Sequence, residues 1–308
     1  MSKILITGFA GFIGSHLQDK LIELGHEVIG VDDFSSGKFE NVNPKISWYG
    51  KFPISELGFE NDSMGIGTDG APEFSNIDYI FHLAAIPRIP YSIEHPIETH
   101  NVNVNGTLNV LEQARKWKVK KVIFASSSSV YGDQRLPYKE SLHKKPISPY
   151  ALHKSIGEEY MRLFDIVYGL PTLSLRFFNV YGPRCNADSP YSLVIGKFLK
   201  MKAEGKSLTI FGDGEQSRDF TYVDDVVRGL VAAMEKPVHN EVINLCNGKT
   251  TTINKIAELI GGEKEYLPPR KGDVARTLGD PWKANALLDW RGEISIEKGL
   301  ELMQSGER

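Results

Sequence analysis

TGFAGFIG at residues 7–14 decides the fold, because it sets Gly8, Gly11 and Gly14 between an apolar run, KILIT at 3–7, and a helical pattern over 12–24. A strand that turns tightly into a helix aims backbone N–H groups and the positive helix end at an anion, and glycine is needed where chain and ligand come close. Within the helix Ile13, Leu17, Leu21 and Leu24 form one stripe, and Gly25 supplies the stop. The next apolar run, EVIGVD at 27–32, ends on Asp32, about 20 residues past the glycines, where an acidic side chain accepts both ribose hydroxyls and repels a 2′-phosphate. The stretch therefore reads as a dinucleotide cradle that prefers NAD to NADP, with Asp33 either sharing the role or solvated.

Further apolar runs, IDYIFHLAA at 77–85, KVIFASSS at 121–128 and LSLRFF at 173–178, alternate with helical patterns. Continuous apolar strands are buried on both faces, so the fold class is α/β, a Rossmann-type doubly wound parallel sheet. Past about residue 176 the alternation loosens and proline, glycine and arginine become frequent. This divides the chain into an NAD-binding domain over 1–175, to which 220–236 returns, and a smaller α/β substrate-binding lobe over 176–308. The glycine-rich, aperiodic stretch 57–76 reads as a flexible surface excursion, either a lid or a plain variable loop.

A chain of 308 residues buries about three quarters of its unfolded surface and needs no disulfides. Cys185 and Cys246 lie far apart without metal-ligand spacing, which fits a reducing cytosol and argues against a zinc or other metal site. No apolar run has the length of a signal peptide or a spanning helix, so the expected location is cytoplasmic, away from membranes. The net charge is −3 with mixed signs, and the one basic cluster, RKWKVKK at 115–121, precedes a buried strand; nucleic acid is not an expected partner.

The chemistry is carried by YALHK at 150–154. Tyr150 and Lys154 stand one helical turn apart on one face. A phenol of ordinary acidity is no base at neutral pH, but a neighbouring ammonium and a cationic nicotinamide ring both favour the phenolate. Ser127 ends a parallel strand, at the edge where such sheets bind ligands, and is placed to hydrogen-bond a sugar hydroxyl as its proton leaves.

These residues, together with HLAA at 82–85, NVNGT at 103–107, SSSSVYG at 126–132, RFFNVYGPR at 176–184, GDGEQSRDFTYVDD at 212–225 and PPRKGDV at 268–274, resemble the extended short-chain dehydrogenase/reductases. The resemblance is specifically to the NAD-dependent nucleotide-sugar epimerases and dehydratases, and it runs along nearly the whole chain. It implies that Tyr150 is the base, Lys154 its partner and Ser127 the active serine, with Tyr150 and Lys154 also at the cofactor. It adds Phe12 and Ile13 to the cradle, brings Leu83, Ala84 and Ala85 close to the cofactor phosphates, and has Asn103 help hold it. Asn179, Arg218 and Arg270 are implied binders of the substrate's diphosphate or nucleoside. Relatives carry an aspartate facing adenine where this chain has Lys51, which leaves the adenine contacts open.

Dehydratases and decarboxylases of this family carry an acidic residue just after the active serine or threonine; here Ser128 and Ser129 follow Ser127. The resemblance then implies a 4-epimerase of UDP-sugars working through a transient 4-keto intermediate. In the family a position four residues after the aspartate of RxGD, here Asp273, reads substrate size. It falls on Thr277, small enough for UDP-N-acetylglucosamine and its galacto epimer beside UDP-glucose and UDP-galactose. A UDP-glucuronate epimerase or decarboxylase, with Arg88 meeting the carboxylate, and another nucleotide-sugar oxidoreductase are the alternatives. Helices over 97–117 and 148–166 match a four-helix dimer interface in relatives, so a homodimer is expected, although core packing accounts for the same stripes.

Overall fold

The computed structural model describes residues 1–57, 76–185, 194–269 and 274–306; nearly all of the glycine-rich excursion, together with Arg270 and Asp273, lies outside the described residues. Seven strands, β1 (Lys3–Thr7), β2 (Glu27–Asp32), β3 (Trp48–Lys51), β4 (Tyr79–His82), β5 (Lys121–Ser127), β6 (Thr172–Phe177) and β11 (Glu241–Leu245), make one parallel sheet in the order β11-β6-β5-β4-β1-β2-β3. The order reverses between β1 and β4, the switch point beside which doubly wound sheets bind ligands. Thr7 pairs in register with Val31 on one side and His82 on the other, which sets the cradle, Asp32 and the HLAA turn along one edge.

Apolar side chains of β1, β2, β4 and β5, such as Leu5, Ile29, Ile80 and Val122, pack with Val110, Leu111 and Ala114 of α4 (Gly106–Trp117) and with Met161 and Phe164 of α5 (Pro149–Tyr168). Lys121 is the one basic residue of its cluster drawn inside: its Nζ donates to the carbonyls of Ala233 at 3.0 Å and Lys236 at 2.6 Å. It thereby caps the C-terminus of α7 (Val223–Glu235), where a cation also meets the negative helix end.

The pattern over 97–117 is not one regular helix. A short helix, α3 (Pro96–His100), runs through a π-helical turn at Asn101–Asn105 before α4 begins. α5, by contrast, is fully specified at its start. Pro149 occupies the first turn, where it has no N–H to leave unpaired, and the Ser148 side chain accepts from Ala151 N at 3.2 Å. The remaining amide, that of Tyr150, donates at 3.1 Å to Ser92 Oγ of another helix, α2 (Ile89–Glu94).

The described chain forms two units. One is Met1–Gly132, Lys144–Arg176 and Val227–Ile243; the other is Asp133–His143, Phe177–Val226 and Asn244–Arg308. In the second unit β8 (Leu208–Phe211) pairs in parallel with β13 (Lys264–Leu267). There Asp219 accepts the backbone N–H groups of Asn247, Gly248 and Gly279, at 3.0, 3.1 and 3.1 Å, and so gathers three chain segments on one carboxylate.

In the first unit the equivalent knot is ionic. Glu158 of α5 takes Arg176 Nε and Nη2 at 2.8 Å each and Ser126 Oγ at 2.6 Å, with Lys144 Nζ 3.4 Å away, and the carboxylate and guanidinium are almost wholly buried. Two ions out of water are tolerated because each is paired with the other through a forked contact. Arg176→Met should therefore cost about 3–5 kcal/mol in urea unfolding, whereas Glu158→Leu combined with Arg176→Met should lose clearly less than that single change.

Candidate active site

The cradle is built at the crevice between β1 and β4. Gly8 has φ +75°, and a Cβ there would lie 2.8 Å from Ala84 N; a Cβ on Gly14 would overlap the Gly8 carbonyl oxygen. Only glycine lets the turn, the HLAA segment and the start of α1 (Phe12–Glu23) close together. No side chain caps that helix, and its first turn holds no acidic residue. The first-turn amides of Phe12, Ile13 and Gly14 are those a helix leaves without intrahelical partners, so they and the helix dipole suit a pyrophosphate.

Asp32 ends β2 with its carboxylate almost buried. Oδ2 accepts Ala10 N at 3.1 Å from the glycine turn, and Oδ1 accepts Phe34 N at 2.8 Å. Burial raises its pKa while these two N–H groups oppose the rise, and the unused lone pairs remain for ribose hydroxyls. Asp33 is exposed and spends Oδ1 on Ser35 N and Oγ, leaving Asp32 as the acidic group of the turn. Lys51 ends β3 with its Nζ 5.5 Å from the centre of the Phe39 ring, which stacks on Phe34 at 4.0 Å. The cradle residues thus suit NAD at the diphosphate and ribose.

Ser127, Tyr150 and Lys154 come together at the C-terminal end of β5. Ser127 Oγ accepts Ser129 N at 3.2 Å. Burial raises the Tyr150 phenol's pKa, against smaller opposing effects of the Ser127 hydroxyl and the Arg88 charge. Lys154 Nζ donates to the Ala125 carbonyl at 2.7 Å and lies 4.7 Å from the Phe124 ring centre and 6.0 Å from that of Tyr150. Desolvation pushes Lys154 down to about 7, against an opposing pull from Glu158 one turn further along α5. Where an acid would stand in a dehydratase, Ser128 and Ser129 open a short 3-10 turn.

A hydrogen-bonded relay beneath the HLAA turn was not foreseen from sequence. Ala84 N donates to Thr7 Oγ1 at 3.3 Å, and Thr7 Oγ1 lies 2.8 Å from His82 Nδ1. On the other side His82 Nε2 lies 2.9 Å from Thr107 Oγ1, which itself donates to the Asn103 carbonyl at 2.8 Å. The Thr107 proton is committed to that carbonyl, so His82 carries its proton on Nε2 and accepts from Thr7 on Nδ1. Burial holds this imidazole neutral, down to about 3. The Asn103 side chain in turn takes Ile86 N at 2.8 Å and gives to Ile86 O at 3.1 Å, so it holds the loop Leu83–Ile86 by its backbone. The signal lay in HLAA and NVNGT, whose His82 and Thr107 carry the relay.

In the second unit Asn179 Nδ2 donates to Thr277 Oγ1 at 3.2 Å and to the Asp219 carbonyl at 3.3 Å, and Thr277 Oγ1 also takes Asp219 N at 3.3 Å. Arg218 Nη1 donates to its neighbour Ser217's carbonyl at 2.9 Å. Asn179, Arg218 and Thr277 are thereby drawn around one turn, while Arg270 and Asp273 lie outside the described residues.

A dinucleotide cradle on a doubly wound sheet, with a half-buried Ser127 and buried Tyr150 and Lys154 at the end of β5, defines a nucleotide-binding fold of the dehydrogenase type. The family model for the NAD dependent epimerase/dehydratase family matches residues 4–246, and the chain belongs to that family. Among solved structures it is similar to the UDP-glucose 4-epimerase of Thermotoga maritima with UDP-glucose, at 39% identity over 98% of this chain and 97% of that one, TM-score 0.89. It is also similar to the UDP-N-acetylglucosamine 4-epimerase of Methanobrevibacter ruminantium in complex with UDP-N-acetylmuramic acid, at 34% identity, 99% of both chains and TM-score 0.89. A third likeness is the UDP-glucuronic acid 4-epimerase of Bacillus cereus with UDP-glucuronic acid and NAD, at 33% identity, 98% of both chains and TM-score 0.86.

Lys154 supplies a sign that can be checked. With its folded pKa held down to about 7 against an ordinary 10.5, the unfolded chain binds more protons between those values, so its burial penalty is full below pH 7 and fades as pH rises toward 10.5. Lys154→Met should raise the unfolding midpoint of the cofactor-free protein at pH 6–7, and the gain should shrink toward pH 10 in urea titrations run across that range.

Proposed function

We propose that this chain is an NAD-dependent UDP-sugar 4-epimerase acting on the UDP-N-acetylglucosamine/UDP-N-acetylgalactosamine pair, the UDP-glucose/UDP-galactose pair, or both. The observation that carries the reading is a buried Tyr150 whose ring centre lies 6.0 Å from Lys154 Nζ, with no acidic side chain at 128 or 129 after Ser127. Tyr150, as phenolate, takes the proton of the sugar C4 hydroxyl, and Ser127 holds that oxygen as it becomes a carbonyl. NAD, when bound in the cradle, would supply the hydride acceptor and donor for C4. Once the 4-keto sugar has turned over so that C4 presents its opposite face to the hydride, Tyr150 returns its proton to O4, and no cofactor is consumed. Lys154 holds the ribose and steadies the phenolate. Loop Leu83–Ala85 and Asn103 shape the phosphate side of the cradle, with Gly8, Gly11, Phe12, Ile13, Gly14 and Asp32 holding the rest of the dinucleotide.

Substrate selection falls to the second unit, where Asn179, Arg218, Arg270 and Asp273 take the nucleoside diphosphate. Thr277 leaves room for an acetamido group. Its hydroxyl already orders the Asn179 amide, so the small side chain positions a substrate ligand as well as making space. The enzyme works in the cytoplasm. It works as a homodimer: Ile97, Ile147 and Leu152, all exposed, flank an apolar groove formed by Pro96, Pro146 and Pro149, and Leu163, Ile166 and Val167 continue the exposed apolar face along α5. A second copy laid along α5 would take these side chains out of water.

Purified enzyme given each UDP-sugar without added cofactor should interconvert the C4 isomers by NMR; turnover confined to UDP-glucuronate, or release of carbon dioxide, would reject the substrate assignment. Tyr150→Phe should lower kcat by about 10²–10⁴ while calorimetry finds UDP-sugar affinity unchanged. Sedimentation at micromolar protein should return a dimer, and Leu152→Glu should split it.

A further inference from the structure

Separate segments of the second unit meet at Asp219, whose side chain is wholly buried. Oδ1 accepts Asn247 N at 3.0 Å, and Oδ2 accepts Gly248 N and Gly279 N at 3.1 Å each. The main chain of the same residue reaches two further side chains. Its N–H donates to Thr277 Oγ1 at 3.3 Å, and its carbonyl accepts Asn179 Nδ2 at 3.3 Å. A backbone carbonyl can only accept and a backbone N–H can only donate, so these two bonds fix the polarity of both side chains. The Asn179 amide must turn its nitrogen toward Asp219 and Thr277, which uses both of its protons and leaves Oδ1 as the acceptor end. The Thr277 oxygen receives donors from Asp219 and from Asn179, which occupies both of its lone pairs and leaves its proton to be given.

We propose that Asp219 is a positioning residue for nucleotide-sugar recognition: its carboxylate locks the main chain that orients Asn179 and Thr277, so that a ligand meets an acceptor, Asn179 Oδ1, beside a donor, the Thr277 hydroxyl. The proposal rests on the second unit holding the UDP-sugar. A sugar hydroxyl, which gives one hydrogen bond and takes another, is the group such a pair complements. Only a carboxylate suits position 219. All three groups facing it are N–H donors, so an asparagine there would set its own amide nitrogen against one of them whichever way it turned. The Asn247–Gly248 turn or the Thr277–Gly279 stretch would then lose its hold on residue 219, and the orientation of the pair would go with it.

The test is calorimetry with UDP-glucose on the purified enzyme, beside steady-state kinetics and the NAD content released on denaturation. Asp219→Asn should weaken UDP-glucose binding and raise KM about tenfold, while kcat and NAD content stay within about threefold of wild type. Combined with Asn179→Ala, it should cost no more affinity than the worse of the two single changes, because both act through one amide. In the wild type, UDP-glucose at about ten times its Kd should slow amide exchange at Asn247, Gly248 and Gly279 about tenfold, since opening the clamp would release the ligand. Affinity that survives Asp219→Asn in a folded enzyme, or losses that add in the double variant, overturns the proposal. Exchange at the three amides that ignores UDP-glucose overturns it even if Asp219→Asn does not fold. Calorimetry needs no turnover, so an enzyme that binds UDP-glucose without converting it counts against the epimerase reading alone, whereas one that binds no UDP-sugar overturns both.

Discussion

The buried Glu158 carboxylate is the constraint on which the catalytic geometry depends. It fastens α5 to β5 through Ser126 and to β6 through Arg176, and it lies one turn beyond Lys154 on the helix that also carries Tyr150. A charge sealed in this way has to be met by fixed partners, because leaving it unmet would cost several kcal/mol. That severity makes it a locator. α5 cannot slide or turn by a residue without uncovering the ion, so the phenol, the ammonium and the end of β5 stay in one arrangement before any ligand arrives. The same carboxylate draws the Lys154 ammonium toward its charged form, against desolvation that favours the neutral amine.

What could be read from the chain, and what could not, divides along the range of the interactions. The cradle was legible because its needs are local: a turn at positive φ and a close approach at Gly8 and Gly14 admit no other residue type, and Asp32 follows at a fixed interval. Tyr150 and Lys154 were legible for a similar reason, since one helical turn is a spacing written in sequence. Ser92, His82 and Thr107 were not. Ser92 reaches the Tyr150 amide across 58 positions and His82 reaches Thr7 across 75, and neither partnership leaves a periodic trace. The regular helix expected over 97–117 contains a π-turn, which no apolar spacing announces.

Two organising carboxylates, one in each unit, solve different problems. Glu158 is met by a guanidinium and holds regular elements together. Asp219 is met only by backbone N–H groups, and holds loops whose amides would otherwise need water. Burial pushes Asp219 up to about 7 even as three N–H donors pull it down. The side chains assigned to the substrate, Asn179 and Thr277, hang on the main chain of that same residue. In the proposed reading the chemistry rests on a helix and strand end locked by an ion pair, whereas recognition is mounted on turns tied by backbone bonds, an arrangement that lets specificity drift while the reaction is kept.

The bond from the Tyr150 amide to Ser92 in helix α2 has one more implication. A helix advances about 100° per residue, so four residues return to the same side and five do not. Insertions in surface connections are usually absorbed with little harm, but a single extra residue ahead of Ser92 in this short helix would swing its hydroxyl about 100° round the axis and leave the Tyr150 amide without its partner. Length, more than composition, is what natural variation in this segment must conserve.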